Sequence, residues 1–216
     1  MTNSSRKHRE HFDFDEECSA EGIARALARE PWSRALFDRL RASHQTHYEQ
    51  FGWLQGKVRL GDEELPPNWK LCSMRDHTIT PYRRWSDIRR YIMMIYHLED
   101  GTCIHTSLVS MPGVVFSHLV FGYVVTPDKV KHAVDALDVD LIDLGEDKRH
   151  FPRKFHYSFR AGTRNYSVTV EIVETVSFKM GLDLACQVNE NMCRFRTDDG
   201  RNGRGFVEAE YRVEPY

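Results

Sequence analysis

The sequence predicts a mainly β protein, an antiparallel barrel of about ten strands with N-terminal helices packed on it. Three observations carry that reading. Beyond His47, short β-prone runs recur at regular spacing with turn residues between them, and no helical period interrupts them. Asp100-Gly101 separates two strongly β-prone runs, 91–98 and 103–110, and is a sharp hairpin signal. Both faces of that hairpin are apolar, so it needs cover on both sides. A closed wall with an apolar interior, wrapped outside by helices, supplies it.

The elements follow in order. Residues 1–12 read as a polar tail and 13–216 as one β domain with a helical lead over about 19–43. Ser19 is placed to cap a first helix carrying Ile23 and Leu27. Pro31 suits the first turn of a second helix, in which Trp32, Leu36 and Leu40 recur at i, i+4 and i+8 and should bury against the barrel. Strands are expected in a run ending near Leu60, over 69–74, and then over 91–98, 103–110, 117–125, 137–144, 153–160, 165–175, 187–197 and 204–213. The turns between the later runs are marked by Thr126-Pro127-Asp128, Ala161-Gly162 and Asp198-Asp199-Gly200 through Gly203. If Asp100 and Gly101 form a two-residue loop, Tyr96 opposes His105. Ile92, Met94, Tyr96 and Leu98 then share a face with Cys103, His105, Ser107 and Val109.

Composition narrows the function classes. Thirty Lys and Arg against 32 Asp and Glu give a formal charge of −2, which removes the simplest case for a nucleic-acid binder. No run of about 18 apolar residues is present to span a membrane. Five cysteines, an odd number with no C-x-x-C pair, argue against a disulfide framework or zinc knuckle. With no apolar leader at the start, they point to five free thiols and a cytoplasmic location.

The densest polar cluster is Arg75-Asp76-His77-Thr78, followed by Tyr82-Arg83-Arg84-Trp85. Asp76 and His77 at a strand end are candidates for a general acid and base, with Arg75, Arg83 and Arg84 holding the polar end of a ligand beside Trp85. The plainer reading makes Asp76 a structural acceptor in the Pro-containing bend, and that outcome is the commoner one. Tyr96 and His105 are candidates to line a pocket, although a His among apolar neighbours is more often a satisfied core residue. Glu208 and Glu210 share a face of the last strand, so one of them can reach a barrel mouth. His44 and His47 have the i, i+3 spacing of metal ligands on a helix, but no third ligand follows at a recognisable spacing, and no metal is expected. Gly200-Arg201-Asn202-Gly203-Arg204-Gly205 lacks a helix behind it, which makes it a hairpin turn rather than a phosphate cradle. No nucleotide or cofactor fingerprint appears, so no cofactor is expected.

Several stretches look familiar. They are Ala28-Arg29-Glu30-Pro31-Trp32-Ser33, Ser43-His44-Gln45-Thr46-His47-Tyr48-Glu49-Gln50, Arg75-Asp76-His77, Leu98-Glu99-Asp100-Gly101-Thr102, Val109-Ser110-Met111-Pro112 and Gly203-Arg204-Gly205-Phe206-Val207-Glu208. Together they resemble the lipocalin-like region that precedes the catalytic domains of animal phosphoenolpyruvate-synthase-like phosphotransferases, over about residues 12–212. More distantly the chain is similar to the two-barrel hydroxyneurosporene-synthase and tocopherol-cyclase type proteins, of which it would hold the second barrel. Those act on isoprenoid or similarly apolar molecules by acid-initiated hydration or cyclisation. The chain has no room for the phosphotransferase machinery, and the Asp-His-Ser-Trp-Gly pattern of such regions reads Asp76-His77-Thr78-Ile79-Thr80 here.

The resemblance implies a lipocalin-like barrel that binds a small apolar, isoprenoid-like molecule. One alternative is an acid–base hydratase, cyclase or isomerase using Asp76 and His77. The other is a stand-alone accessory domain with a protein partner, or a second copy of itself, and no phosphotransferase activity of its own.

Overall fold

The computed structural model describes residues 18–42, 46–64, 66, 70–79, 84–139, 141, 144, 151–182 and 184–213. Among the described residues, two helices, α1 (Ala20–Ala28) and α2 (Arg34–Ala42), precede twelve strands. Ser19 caps α1, its Oγ accepting from the Gly22 N–H at 2.9 Å. Ser33 does the same for α2, accepting from the Leu36 N–H at 3.1 Å. The second helix therefore starts at Arg34 and not at Pro31, which leaves Trp32 outside the apolar stripe expected to carry it. Leu36 is buried, Leu40 is half-buried, and Trp32 is 70% exposed with its indole N–H donating to the Leu27 carbonyl at 2.8 Å.

Strands β1 (Thr46–Leu54) and β4 (Leu71–Ile79) form a separate antiparallel ribbon, and β2 (Arg59–Leu60) and β3 (Glu63–Glu64), between them in sequence, pair with each other as a second small sheet. Among the described residues the remaining eight strands close into a barrel. They are β5 (Arg90–Leu98), β6 (Cys103–Ser110), β7 (Leu119–Val125), β8 (Lys131–Asp138), β9 (Lys154–Ala161), β10 (Arg164–Met180), β11 (Cys186–Thr197) and β12 (Asn202–Arg212). Each pairs antiparallel with the next, and β12 returns to β5. Closure leaves no edge in the paired part of the wall.

Two expectations need correcting. The strand placed at 137–144 lies earlier, at Lys131–Asp138. Its sequence has few β-branched residues, so its signal was weak, and pairing on both sides holds it in the wall. The 91–110 hairpin turns over three residues, not two. Gly101 takes φ +88 and donates its N–H to the Leu98 carbonyl at 3.0 Å, and Leu98 donates to the Thr102 carbonyl at 2.8 Å. Tyr96 therefore opposes Ile104, and His105 opposes Ile95. One residue of slip moves the whole of β6 to the other face. Ile104 and Leu108 point into the barrel with Ile92, Met94, Tyr96 and Leu98, while Cys103, His105 and Val109 join the outer layer.

The two layers have different covers. The inner one fills the barrel. The outer one, on β5, β6 and β7, is covered by Phe51 and Met74 of the ribbon and by Ile23 and Ala26 of α1. The sequence assigned that cover to helices alone, whereas the ribbon supplies much of it.

Candidate functional site

One end of the barrel interior is closed by aromatic rings. Tyr96 stacks on Phe195 with centroids 4.0 Å apart, and Phe159 stacks on Tyr166 at 4.5 Å. The Tyr157 hydroxyl donates to that of Tyr96 at 2.8 Å, and burial raises the pKa of both phenols. Gly205 makes room for this stack, since a Cβ there would lie 2.6 Å from the Tyr96 Cα. Below the rings, Arg201 ties three hairpin turns together through Asp100 at 2.8 Å, Asp199 at 2.9 Å and the Arg164–Asp199 pair. Tyr96, a pocket candidate, is thus part of a filled floor.

The opposite end is differently lined. Here β10 runs on past its pairing with β9, which ends at Glu171, and only β11 continues beside it. Direct cross-strand partners share a face, so Thr175 and Ser177 face inward with Asn191 and Asn189. The Thr175 hydroxyl donates to the Asn191 Oδ1 and the Ser177 hydroxyl to the Asn189 Oδ1, each at 2.7 Å. The Asn191 amide nitrogen donates to the carbonyls of Asn189 and Val207 at 3.2 and 3.0 Å, which locks it. Ser177 is exposed although its side chain faces inward, and Thr175 is half-buried, so solvent reaches this mouth. Partly buried Leu137, Val139, Leu141, Phe151 and Phe155 pack against the inner core. Phe155 lies on the inward face of β9, since it pairs with Val170, and Phe151 meets it edge-on at 6.2 Å. The mouth therefore combines apolar and aromatic groups with a short ladder of hydroxyls and amides.

A second polar cluster lies outside the barrel, beneath the ribbon. Glu49 is fully buried, with its Oε2 2.6 Å from the His105 Nδ1 and its Oε1 3.3 Å from the His47 Nε2. The His105 Nε2 lies 2.5 Å from the Ser107 hydroxyl, the His47 Nδ1 lies 2.8 Å from that of Thr78, and the Tyr123 hydroxyl donates to the Glu49 carbonyl at 3.0 Å. Burial pushes the Glu49 carboxyl up, but the two imidazoles outweigh it and bring its pKa down to about 2. Asp76 pairs with Glu49 across the ribbon, its Oδ1 3.8 Å from the His47 Nδ1. His47, Glu49 and Asp76 each offer a donor atom within 4.8 Å of the others, so these are residues that could hold a metal ion.

Glu208 faces the same outer side, where Tyr91 donates a hydrogen bond to it and Glu190 sits directly opposite on β11. Burial pushes its carboxyl up to about 7, against the pull of Tyr91 and with help from the negative charges of Glu190, Asp76 and Glu49.

The other sequence candidates scatter. Asp76 and His77 are adjacent on β4, so their side chains point to opposite faces of the ribbon and do not form a pair. Asp76 lies mid-strand, not at the entry to a bend. Arg75 is exposed, with its Nη2 3.5 Å from the His77 Nδ1. Arg84 is exposed at the start of a 3-10 turn, Trp85–Asp87, and the Trp85 carbonyl accepts from the Cys186 thiol at 3.4 Å. Arg83 and His44 lie outside the described residues. His105 does not share a face with Tyr96, because of the hairpin slip. None of the five cysteines is joined in a disulfide.

Sequence reading missed Asn189, Asn191, Thr175, Ser177 and Glu49. The first two alternate with Glu190 and Met192 and continue the inward face of Cys193 and Phe195, a period-2 signal open to detection. The helical i, i+3 spacing of His44 and His47 draws attention away from Glu49, whereas in a strand His47 and Glu49 share a face.

A model of the family of unknown function DUF8627 matches residues 6–209. The chain belongs to that family. No curated protein matches the DUF8627 chain. Among solved structures it is similar to an AttH-like protein from Nitrosomonas europaea, with TM-score 0.56, 11% identity, and cover of 79% of this chain and 53% of that one. It is also similar to kievitone hydratase from Nectria haematococca, with TM-score 0.50, 13% identity, and cover of 78% and 53%. At such identities the likeness is one of fold, a lipocalin-like barrel, and the DUF8627 chain spans about half the length of each. Nothing in these comparisons supports the phosphoenolpyruvate-synthase-like resemblance. No helix among the described residues is long and apolar enough to cross a membrane.

Proposed function

We propose that the chain binds a small, largely apolar molecule in the barrel mouth, with one polar end of that molecule turned toward β10 and β11. The observation that carries this is the asymmetric lining. Leu137, Phe151 and Phe155 offer apolar contact, and the Thr175–Asn191 and Ser177–Asn189 pairs offer orienting hydrogen-bonding groups. The Asn189 Oδ1 is taken by Ser177, which leaves its amide nitrogen to donate to a ligand carbonyl or hydroxyl. The aromatic floor limits depth, so the ligand sits in the β10–β11 half. An isoprenoid-like shape suits such a site.

Native mass spectrometry of the purified protein, before and after organic extraction, tests this. A lipophilic probe such as 1-anilinonaphthalene-8-sulfonate should then bind once per chain. Ser177→Trp, at an exposed inward position, should abolish that binding at an unchanged melting temperature. Equal binding by the variant would refute the mouth as the site.

A further inference from the structure

We infer that the cluster beneath the ribbon is a binding site for a divalent transition-metal cation, with His47, Glu49 and Asp76 as its ligands and His105 as the group that orients Glu49. It lies on the outer wall of the barrel and is independent of the interior mouth.

The donor set and its geometry carry the inference. One imidazole nitrogen and two carboxylates form a mixed N,O set suited to Zn²⁺ and its neighbours in the first transition row. The His47 Nε2 and Glu49 Oε1 are 3.3 Å apart. Two donors bound to one tetrahedral ion at about 2.0–2.1 Å would be about 3.3–3.4 Å apart, so this edge of the polyhedron already has its length. The Asp76 Oδ1 lies 3.8 Å from the other ring nitrogen, Nδ1, so Asp76 reaches the Nε2 side by rotation of its half-exposed side chain.

The surroundings match what a metal site needs from its supporting groups. The His47 Nδ1 is 2.8 Å from the Thr78 hydroxyl. With its Nδ1 held at Thr78, the His47 Nε2 faces the Glu49 carboxylate, where a cation can take the place of the ring proton that otherwise joins them. The second oxygen of Glu49 is held by His105 at 2.6 Å, and His105 in turn by Ser107 at 2.5 Å. Such a carboxylate–imidazole–hydroxyl chain fixes the ligand's orientation. Acidic groups also outnumber basic ones here, with Glu49, Asp76, Glu190 and Glu208 set against the imidazoles of His47 and His105. Among the described residues, no Lys or Arg forms an ion pair with Glu49, Asp76, Glu190 or Glu208. A hydrogen-bonded staple alone would account for Glu49 and His105. It does not require Asp76 to face His47, or Glu190 and Glu208 to gather on the same side.

The test uses the full chain stripped with EDTA and titrated with ZnCl₂ alone, followed by calorimetry and thermal unfolding. One equivalent should bind and raise the melting temperature. Asp76→Asn should weaken binding more than about 100-fold, a larger loss than supporting groups usually cause. Its metal-free melting temperature should match wild type, because Asp76 is half exposed. Cys72→Ser, which removes the exposed thiol, should bind as wild type does. X-ray absorption on the zinc-loaded wild type needs no variant and should show nitrogen and oxygen donors only. Absence of a stoichiometric site, equal affinity in Asp76→Asn, loss of binding in Cys72→Ser, or sulfur in the coordination shell would each overturn the inference.

Discussion

Glu208 offers the most direct reading of electrostatics in this fold. Its carboxyl is held at about 7 in the folded chain, against an ordinary value of 4.5. The folded state therefore binds this proton more tightly than the unfolded state does. The associated stability is fully present below about pH 4.5 and is lost as pH rises through about 7. A rise from 4.5 to about 7, at about 1.4 kcal/mol per pH unit, makes that loss about 3.5 kcal/mol. Replacing Glu208 by Gln keeps the shape and the acceptor for Tyr91 but removes the titration. The expected result is equal stability at pH 4 and a variant more stable by about 3.5 kcal/mol at pH 8, roughly 7–14 °C in melting temperature for a chain of this size. Urea unfolding of both proteins in EDTA, at half-unit steps from pH 4 to 8.5, measures it. The difference between the two curves isolates Glu208 from the other titrating groups. Parallel curves across that range would refute the reasoning. Tyr91→Phe removes the one contact that opposes the rise, and it should move the midpoint of the loss to higher pH.

Three further outcomes follow from packing. Gly122→Ala should cost more than about 3 kcal/mol in denaturant unfolding, because a Cβ there would lie 2.3 Å from the His105 carbonyl oxygen at φ +126. Phe195→Ala should cost about 3–5 kcal/mol by removing the ring stacked on Tyr96, while leaving probe binding at the far mouth in place. Leu36→Ala should destabilise by about 2–5 kcal/mol and Trp32→Ala by less than about 0.5 kcal/mol, since only the former is buried. Thermal scans on both variants decide this, and a reversed order would mean that α2 docks differently.

Local patterning settled the class of this fold. Turn residues between β-prone runs, the Asp100-Gly101 hairpin and the doubly apolar 91–98 run are short-range signals, and each corresponds to a feature of the closed barrel. The Ser19 cap was equally legible, because capping involves residues three apart. Tertiary structure decided what lies beyond that range. A hairpin of two residues or three cannot be chosen from Asp100-Gly101 alone, yet that choice sets which face His105 occupies, because a strand alternates with period two. Pairing of 46–54 with 71–79 depends on the barrel wall the ribbon covers, so its sequence announced neither the ribbon nor the outer core layer. The site residues belong to this second kind. Glu49 meets His105 across 56 positions only because the ribbon lies on β6, and Ser177 meets Asn189 because β10 outruns β9. Side-chain chemistry is written residue by residue, but which groups converge is set by register and closure, and those depend on the whole chain folding at once.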